Sequence, residues 1–527
     1  MTKKENKYKI ILLFLSVFSF FPNLWVRNVD LMEARNFITA REMVVDNHWL
    51  ITTLNGNLRF EKPPFPTWLT ALTIKLTGNL TDEWILRIPV ALVGILLVFL
   101  VYYFIRTITK DPFHGFITSF ITLSTFMLIK VSNENNWDIY CYVFAMGVLT
   151  FWTMGMEYRQ RKFFVIAGVF LAMSILSKGP VGIYGLVIPF VIAYFFIYGL
   201  DSIRENKKNI LLSILIGIVL SAIWPIYILW EHKDVFLQVM EKEKNTWSSR
   251  HMRRFLYYMD YFVYVGIWVF FSIAVLKKNW SIKRVKNKKN FNFLFLWHIL
   301  IIIFLSIIRM KKKRYGIPIY ITSSMLVASL CNYYFSKSFY SLEKSDKILI
   351  KIQYILLHII SIGIPVVLII AKILNNSISL IYILCVTGLL IPFYIFLYKG
   401  RDKNNRIKYT IIGSGVLLLL ANNSLNWFVE HKIKNQNTIE YQSIKYSSEF
   451  IGNLSIYSDN FYIEDSWYVG KKVKELPHAA KENEFIYLTR DSQLGDILGN
   501  YDIVKSETFV NENKLVYLFH LKSKGVL

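Results

Sequence analysis

The chain has 527 residues, of which 54% are hydrophobic and 16% aromatic but only 18% charged. A soluble domain carries about a quarter charged residues, so an ordinary soluble enzyme is excluded and a polytopic membrane protein is indicated. The charge is lopsided, with 61 Lys and Arg against 36 Asp and Glu and a formal net charge of +25. Nucleic-acid binders set such an excess on a soluble, groove-following surface, and nothing of that kind is present, so no nucleic-acid partner is expected. Cys141, Cys331 and Cys385 all lie inside apolar runs. They form neither a disulfide framework nor a CxxC metal pattern.

A transmembrane helix needs about 20 mainly apolar residues. Runs of that kind lie near 10–26, 85–105, 113–130, 137–156, 163–177, 181–200, 210–230, 260–276, 291–308, 315–335, 348–371, 377–398 and 409–428, which makes thirteen expected spans. The first follows the basic leader MTKKENKYK as a signal peptide would. No small-residue cleavage site follows, and the stretch Phe20 to Trp25 is too bulky for one, so the run is read as a span. Basic loops stay cytoplasmic. With the N-terminus inside, the cytoplasmic segments hold 28 Lys and Arg, seven of them in KKNWSIKRVKNKK at 277–289. An odd number of spans then places the polar tail outside. The expected organisation is a transmembrane region over 1–430 and a small external α/β domain over 431–527. In that tail the strand-like LSIYSD, EFIYLTRD and KLVYLFHL alternate with helical stretches at Phe461–Gly470 and Ser492–Leu498.

Three segments fall on the external side: 27–84, 231–259 and the cluster Arg309-Met310-Lys311-Lys312-Lys313-Arg314. They are rich in Lys and Arg against the orientation rule, which calls for an anionic partner. In 27–84, residues 33–45 place Phe37, Ala40, Met43 and Val44 on one side, and 66–76 place Trp68, Leu69, Leu72 and Leu76 on one side. Two short amphipathic helices lying in the external interface fit this pattern. Asn55-Gly56 is a tight-turn signal between them, and Pro63-Pro64 fixes an extended stretch before the second. Asp30 and Glu33 sit at the mouth of the first span. Spacing alone leaves two readings open: solvated interfacial charges, or a general base beside a cationic site for an anionic leaving group.

MEARNFITAREMVVDNHWL and LNGNLRFEKPPFPTWLTAL together resemble the first periplasmic loop of bacterial membrane glycosyltransferases of the aminoarabinose transferase and protein O-mannosyltransferase superfamily, the GT-C type. Further matches follow in order: Asp138 in NENNWDIY, SKGPVG at Ser177–Gly182, WPIY at Trp224–Tyr227 and KKKRYGIP at Lys311–Pro318. The resemblance covers roughly residues 20–330. It implies an α-helical polytopic fold of about thirteen transmembrane helices with an external C-terminal domain, in the inner membrane. It also implies inverting transfer of a sugar from a polyprenyl-phosphate-linked donor to a lipid A, other envelope glycan or protein acceptor on the outer face. Such transfer needs a carboxylate to take the nucleophile's proton and cations to meet the charge that develops on the lipid phosphate.

The resemblance assigns roles residue by residue. Family members read D-E-x-R where this chain reads Met32-Glu33-Ala34-Arg35, so Glu33 or Asp30 takes the base position, with Asp138 as a further functional carboxylate. Arg35, Arg59, Lys62, Lys178, Arg309, Lys313, Arg314 and Tyr315 are the candidates for substrate and phosphate binding. Glu61 is the candidate for a divalent metal, but the family's histidine partner falls on Glu243-Lys244 and His251 sits elsewhere in the pattern. A multi-span transporter or flippase is the alternative reading, although no second copy of the EKPP loop or the SKGP break accompanies the first. A third reading, a non-catalytic scaffold, is kept open by Met32.

Overall fold

The computed structural model describes residues 3–249, 251–375, 378–429, 448–476, 482–490, 501–511 and 514–524. The expected helical stretch Ser492–Leu498 lies outside them. The chain is a mostly helical membrane protein that divides into two compact units. The first unit takes Met1–Asn23, Glu61–Pro66 and Ile88–Ser424; the second takes Leu24–Phe60, Thr67–Arg87 and Leu425–Leu527.

Long apolar runs become helices in the first unit because only a helix satisfies every backbone group without water. Among the described residues seven helices are long and apolar enough to cross a membrane: Glu83–Thr109, Trp137–Tyr158, Lys207–Glu231, Lys288–Ile307, Lys344–Leu374, Leu380–Arg401 and Arg406–Phe428. The count rises to nine if Pro112–Leu123 with Phe126–Ser132, bent by 68°, and Phe255–Tyr264 with Gly266–Val275, bent by 104°, are each one span. Four of the thirteen expected runs form helices outside that count. Lys3–Phe20 opens on charged residues and Arg161–Lys178 carries three cations. Ile183–Tyr198 is short, and Ile317–Tyr334 is interrupted by Ser, Thr, Asn and Tyr.

Burial separates the spans by role. The apolar stretch of Trp137–Tyr158 is 83% buried, whereas that of Lys207–Glu231 is 22% buried and shows Leu215, Ile223 and Trp230 outward. The first is a protein-enclosed central helix and the second presents its side chains to lipid. Close packing relies on a small residue at Gly168, where a Cβ would meet the Ser213 carbonyl oxygen at 2.7 Å. Gly168 thereby lets Arg161–Lys178 approach Lys207–Glu231.

The second unit holds a two-stranded hairpin, β1 (Thr53–Leu54) and β2 (Asn57–Leu58), and a five-stranded sheet. The sheet is built from β3 (Ile456–Ser458), β4 (Val473–Glu475), β5 (Glu484–Thr489), β6 (Tyr501–Asn511) and β7 (Lys514–Ser523), in the order β4-β3-β5-β7-β6. β3 runs parallel to β4 and β5, and β7 is antiparallel to both β5 and β6. Alternation sends Ile456, Ile486, Leu488, Val516 and Leu518 to one face, where they join Ala34, Phe37, Ala40, Met43 and Trp467 in one core. The apolar side of the Leu31–Val45 helix therefore packs on the tail's sheet.

The β1–β2 hairpin turns at Asn55-Gly56, both with positive φ, as a two-residue type I′ turn requires. Its tip caps the sheet edge. Val473 N donates to Asn55 Oδ1 at 2.8 Å, and Asn55 Nδ2 donates to the Val473 carbonyl at 2.6 Å. The asparagine side chain stands in for a neighbouring strand at the edge of β4, and Arg41 adds a bond to the Ser466 carbonyl at 3.0 Å.

Candidate active site

Asp138 lies in the first turn of Trp137–Tyr158, where the helix dipole favours an anion. The chain reverses at Arg159 (φ 53°) and returns as Arg161–Lys178, so a helical hairpin brings Lys178, in its last turn, back to the level of Asp138. A helix C-terminus favours a cation, and Gly179 stops the helix at a φ of 65°. Lys178 Nζ donates to Asp138 Oδ1. Arg314, from the Lys313–Gly316 turn, brings its Nε to 3.0 Å from Asp138 Oδ2. The carboxylate is thus gripped on both oxygens. Tyr315 completes the group, with its ring under the Lys178 ammonium at 3.9 Å from the ring centroid.

Lys62 borders this cluster. Its Nζ donates to Glu243 Oε2 at 3.1 Å, and its charge also acts on Asp138. Side-chain exposure rises outward, from 5% at Asp138 through 13% at Lys178 and 15% at Arg314 to 19% at Lys62. Two cations on one buried carboxylate, with Lys62 close enough for its charge to act on it, have the donors to hold an oxyanion.

The remaining residues singled out from sequence have other surroundings. Lys313 is engaged by Asp260 and the Tyr257 carbonyl, with its ammonium 3.8 Å from the Tyr257 ring centroid. The Arg309 carbonyl accepts from Arg253 N at 3.0 Å, beside the Met252–Met310 bridge that holds the 309–314 segment. Within that segment Lys311 is buried and donates to the Arg253 carbonyl at 3.2 Å; burial pulls its ammonium below the usual lysine range.

In the second unit, Glu33 is buried and bound by Arg87 through two parallel bonds of 2.9 and 2.8 Å. Asp30 is the N-cap of Leu31–Val45 and accepts from the backbone N–H of Met32 and Glu33, each at 2.8 Å. Arg35 donates to Met32 Sδ at 3.9 Å, and Arg59 is buried.

Glu61 lies 3.6 Å from Lys242, and the described residues contain no group of three His, Cys, Asp or Glu that could hold a metal. Two ammonium groups beside Glu61 and Glu243 oppose a divalent cation there. Among the described residues, the surroundings of Glu61 do not fit a metal.

Sequence reasoning misses Arg87 as the partner of Glu33, although a lone arginine at the start of an apolar span is the kind of charge that marks a buried pair. Glu243 stands out in the sequence only by its place in the family pattern, and nothing local announces its bond to Lys62.

Residues 61–228 match the family described as Dolichyl-phosphate-mannose-protein mannosyltransferase. An undecaprenyl phosphate-alpha-4-amino-4-deoxy-L-arabinose arabinosyl transferase of Wigglesworthia glossinidia brevipalpis is 25% identical over 345 residues, covering 62% of this chain and 59% of that one. An uncharacterized protein of Aquifex aeolicus is 24% identical over 299 residues, covering 56% of this chain and 58% of the relative. The chain thus spans a little under three fifths of the length of these curated relatives. The crystal structure of ArnT from Cupriavidus metallidurans bound to undecaprenyl phosphate superposes over 97% of both chains, with a TM-score of 0.72 at 15% identity. The chain has the GT-C membrane fold of ArnT and is similar in sequence to aminoarabinose transferases and protein mannosyltransferases.

Proposed function

We propose that this protein is an inverting glycosyltransferase that moves a sugar from a polyprenyl-phosphate carrier to a lipid A, other envelope glycan or protein acceptor on the outer face of the inner membrane. The observation that carries the reading is the basin of Lys62, Lys178 and Arg314 around Asp138. The acceptor oxygen attacks the anomeric carbon from the side opposite the phosphate. The bond from that carbon to the phosphate oxygen breaks, and its electron pair stays on the phosphate. The growing charge meets cations already in place, so they stabilise the transition state more than the bound donor. A hydroxyl acceptor also gives up its proton to a carboxylate, for which Asp30, Glu33 and Asp138 are the candidates.

In the same reading the four helices outside the hydropathy count also cross the bilayer. That makes thirteen spans, with the N-terminus cytoplasmic and the tail outside. A protein-enclosed helix needs no apolar surface of its own, which supports including Ile317–Tyr334, almost wholly buried.

The test is release of polyprenyl phosphate from sugar-loaded carrier by membranes containing wild type, Asp138→Asn or Lys178→Ala. The variants are expected to lose about 100-fold or more in rate, as removal of one charge-stabilising group does elsewhere. Full activity in both would overturn the assignment of the basin.

A further inference from the structure

Glu61-Lys62 meets Lys242-Glu243 of the Lys233–Ser249 helix in two crossed ion pairs, Lys242 to Glu61 at 3.6 Å and Lys62 to Glu243 at 3.1 Å. The outer pair is solvated, with Lys242 68% exposed, and adds little. The inner pair is shielded, at 19% and 28% exposure. It also borders the basin, because the charge of Lys62 acts on Asp138 and that of Glu243 acts on Tyr315.

Lys62, Lys178 and Arg314 face the two carboxylates Asp138 and Glu243, leaving a surplus of one positive charge in this group. On the glycosyltransferase reading, on which this inference rests, the donor is a phosphodiester with one negative charge. After transfer the carrier is a monoester with about −1.5 to −2 charges. The resting group matches the donor. The product calls for one more positive charge, which becomes available when Glu243 leaves Lys62. Both partners of the inner pair keep some contact with water, and a charge-assisted bond from Lys62 to the doubly charged phosphate replaces the one to Glu243, so the exchange is accessible.

We propose that Glu243 is an internal counter-anion for Lys62, which holds the lysine until a carrier phosphate arrives and then competes with the product phosphate for the same ammonium. Glu243 therefore governs release of the spent carrier rather than cleavage of the sugar–phosphate bond, and acts as a positioning residue.

The experiment compares full-length wild type, Glu243→Gln and Glu241→Gln for binding of undecaprenyl phosphate, steady-state turnover and single-turnover transfer. Glu241 is exposed on the same helix and controls for the change in net charge. Glu243→Gln is expected to bind undecaprenyl phosphate about 5-fold tighter. Its KM and kcat should fall together while its single-turnover rate stays at the wild-type value, and Glu241→Gln should match wild type throughout. Glu243→Asp, which keeps the charge on a shorter arm, should fall between Glu243→Gln and wild type, and thermal melting confirms that each variant is folded. Equal or weaker binding by Glu243→Gln, or the same tightening in Glu241→Gln, overturns the role of Glu243. If wild type itself neither binds undecaprenyl phosphate nor releases it from loaded carrier, the glycosyltransferase reading fails instead.

Discussion

Glu33 and Arg87 form a closed set of bonds. Arg87 is fully buried; it spends Nε and Nη2 on Glu33 and Nη1 on the carbonyls of Leu24 and Arg27, at 2.7 and 2.9 Å. Removing one partner of such a pair leaves the other charge buried without compensation. Glu33→Ala should therefore cost about 3–5 kcal/mol of stability, and Glu33→Gln should also lower it, because the amide carries no counter-charge and turns a donor toward one of the two guanidinium donors. Thermal melting in detergent measures the cost. A Glu33→Gln variant with a wild-type melting temperature and no transferase activity would instead place Glu33 in the chemistry. Asp30→Asn keeps the helix cap, while Asp30→Ala should cost about 1 kcal/mol. Both carboxylates were legible as candidates because acids beside a span are rare. Their partners were not equally legible: the cap of Asp30 is two and three residues away, whereas Arg87 lies 54 residues from Glu33, beyond what spacing can reach. Asp138, Lys178 and Arg314 were legible for a related reason, since each is a charge at the edge of an apolar run.

Local signals predict whole elements well and their docking poorly. The Asn55-Gly56 turn and the helices near 33–45 and 66–76 were readable, and appear as the β1–β2 hairpin, Leu31–Val45 and Phe65–Thr77. That Asn55 docks on Val473, 418 residues away, was not. An apolar helix face fits a lipid surface and a protein surface equally well, and only the sheet's own inward-facing residues decide between them. Asn55→Ala removes both bonds to Val473 and should cost about 1–3 kcal/mol, seen as faster hydrogen exchange at the Val473 amide. The segment 277–289 shows the same limit. Its seven cations read as an orientation signal, yet Arg284 is buried and pairs with Asp346, which also accepts from Tyr334 Oη at 3.0 Å. Asp346→Ala leaves Arg284 with only the exposed Glu343 as a charged partner and should lower stability by about 1–3 kcal/mol, measured as loss of folded protein on heating, without changing membrane topology.

At the scale of the molecule, hydropathy is strongest where side chains face outward and weaker where protein encloses them. Leu380–Arg401, 28% buried, has a mean hydropathy of 2.4, whereas Trp137–Tyr158, 83% buried, has 1.5, because an enclosed helix is free to carry polar side chains. The +25 surplus divides in the same way, into cations that mark loops and a small set that surrounds Asp138. The second compact unit joins residues of the first loop to the tail in one core. Ala40, fully buried in the core that Leu31–Val45 shares with the sheet, reports on that union. In an Ala40→Cys protein whose exposed Cys385 is replaced by Ser, a maleimide should label the introduced thiol slowly as long as the tail is present. Stopping the chain after Phe428 removes the whole sheet and should raise the labelling rate by at least about 100-fold, because the apolar side of Leu31–Val45 then has no partner surface. Equal labelling of the two proteins would show that the loop helices hold their core without the tail.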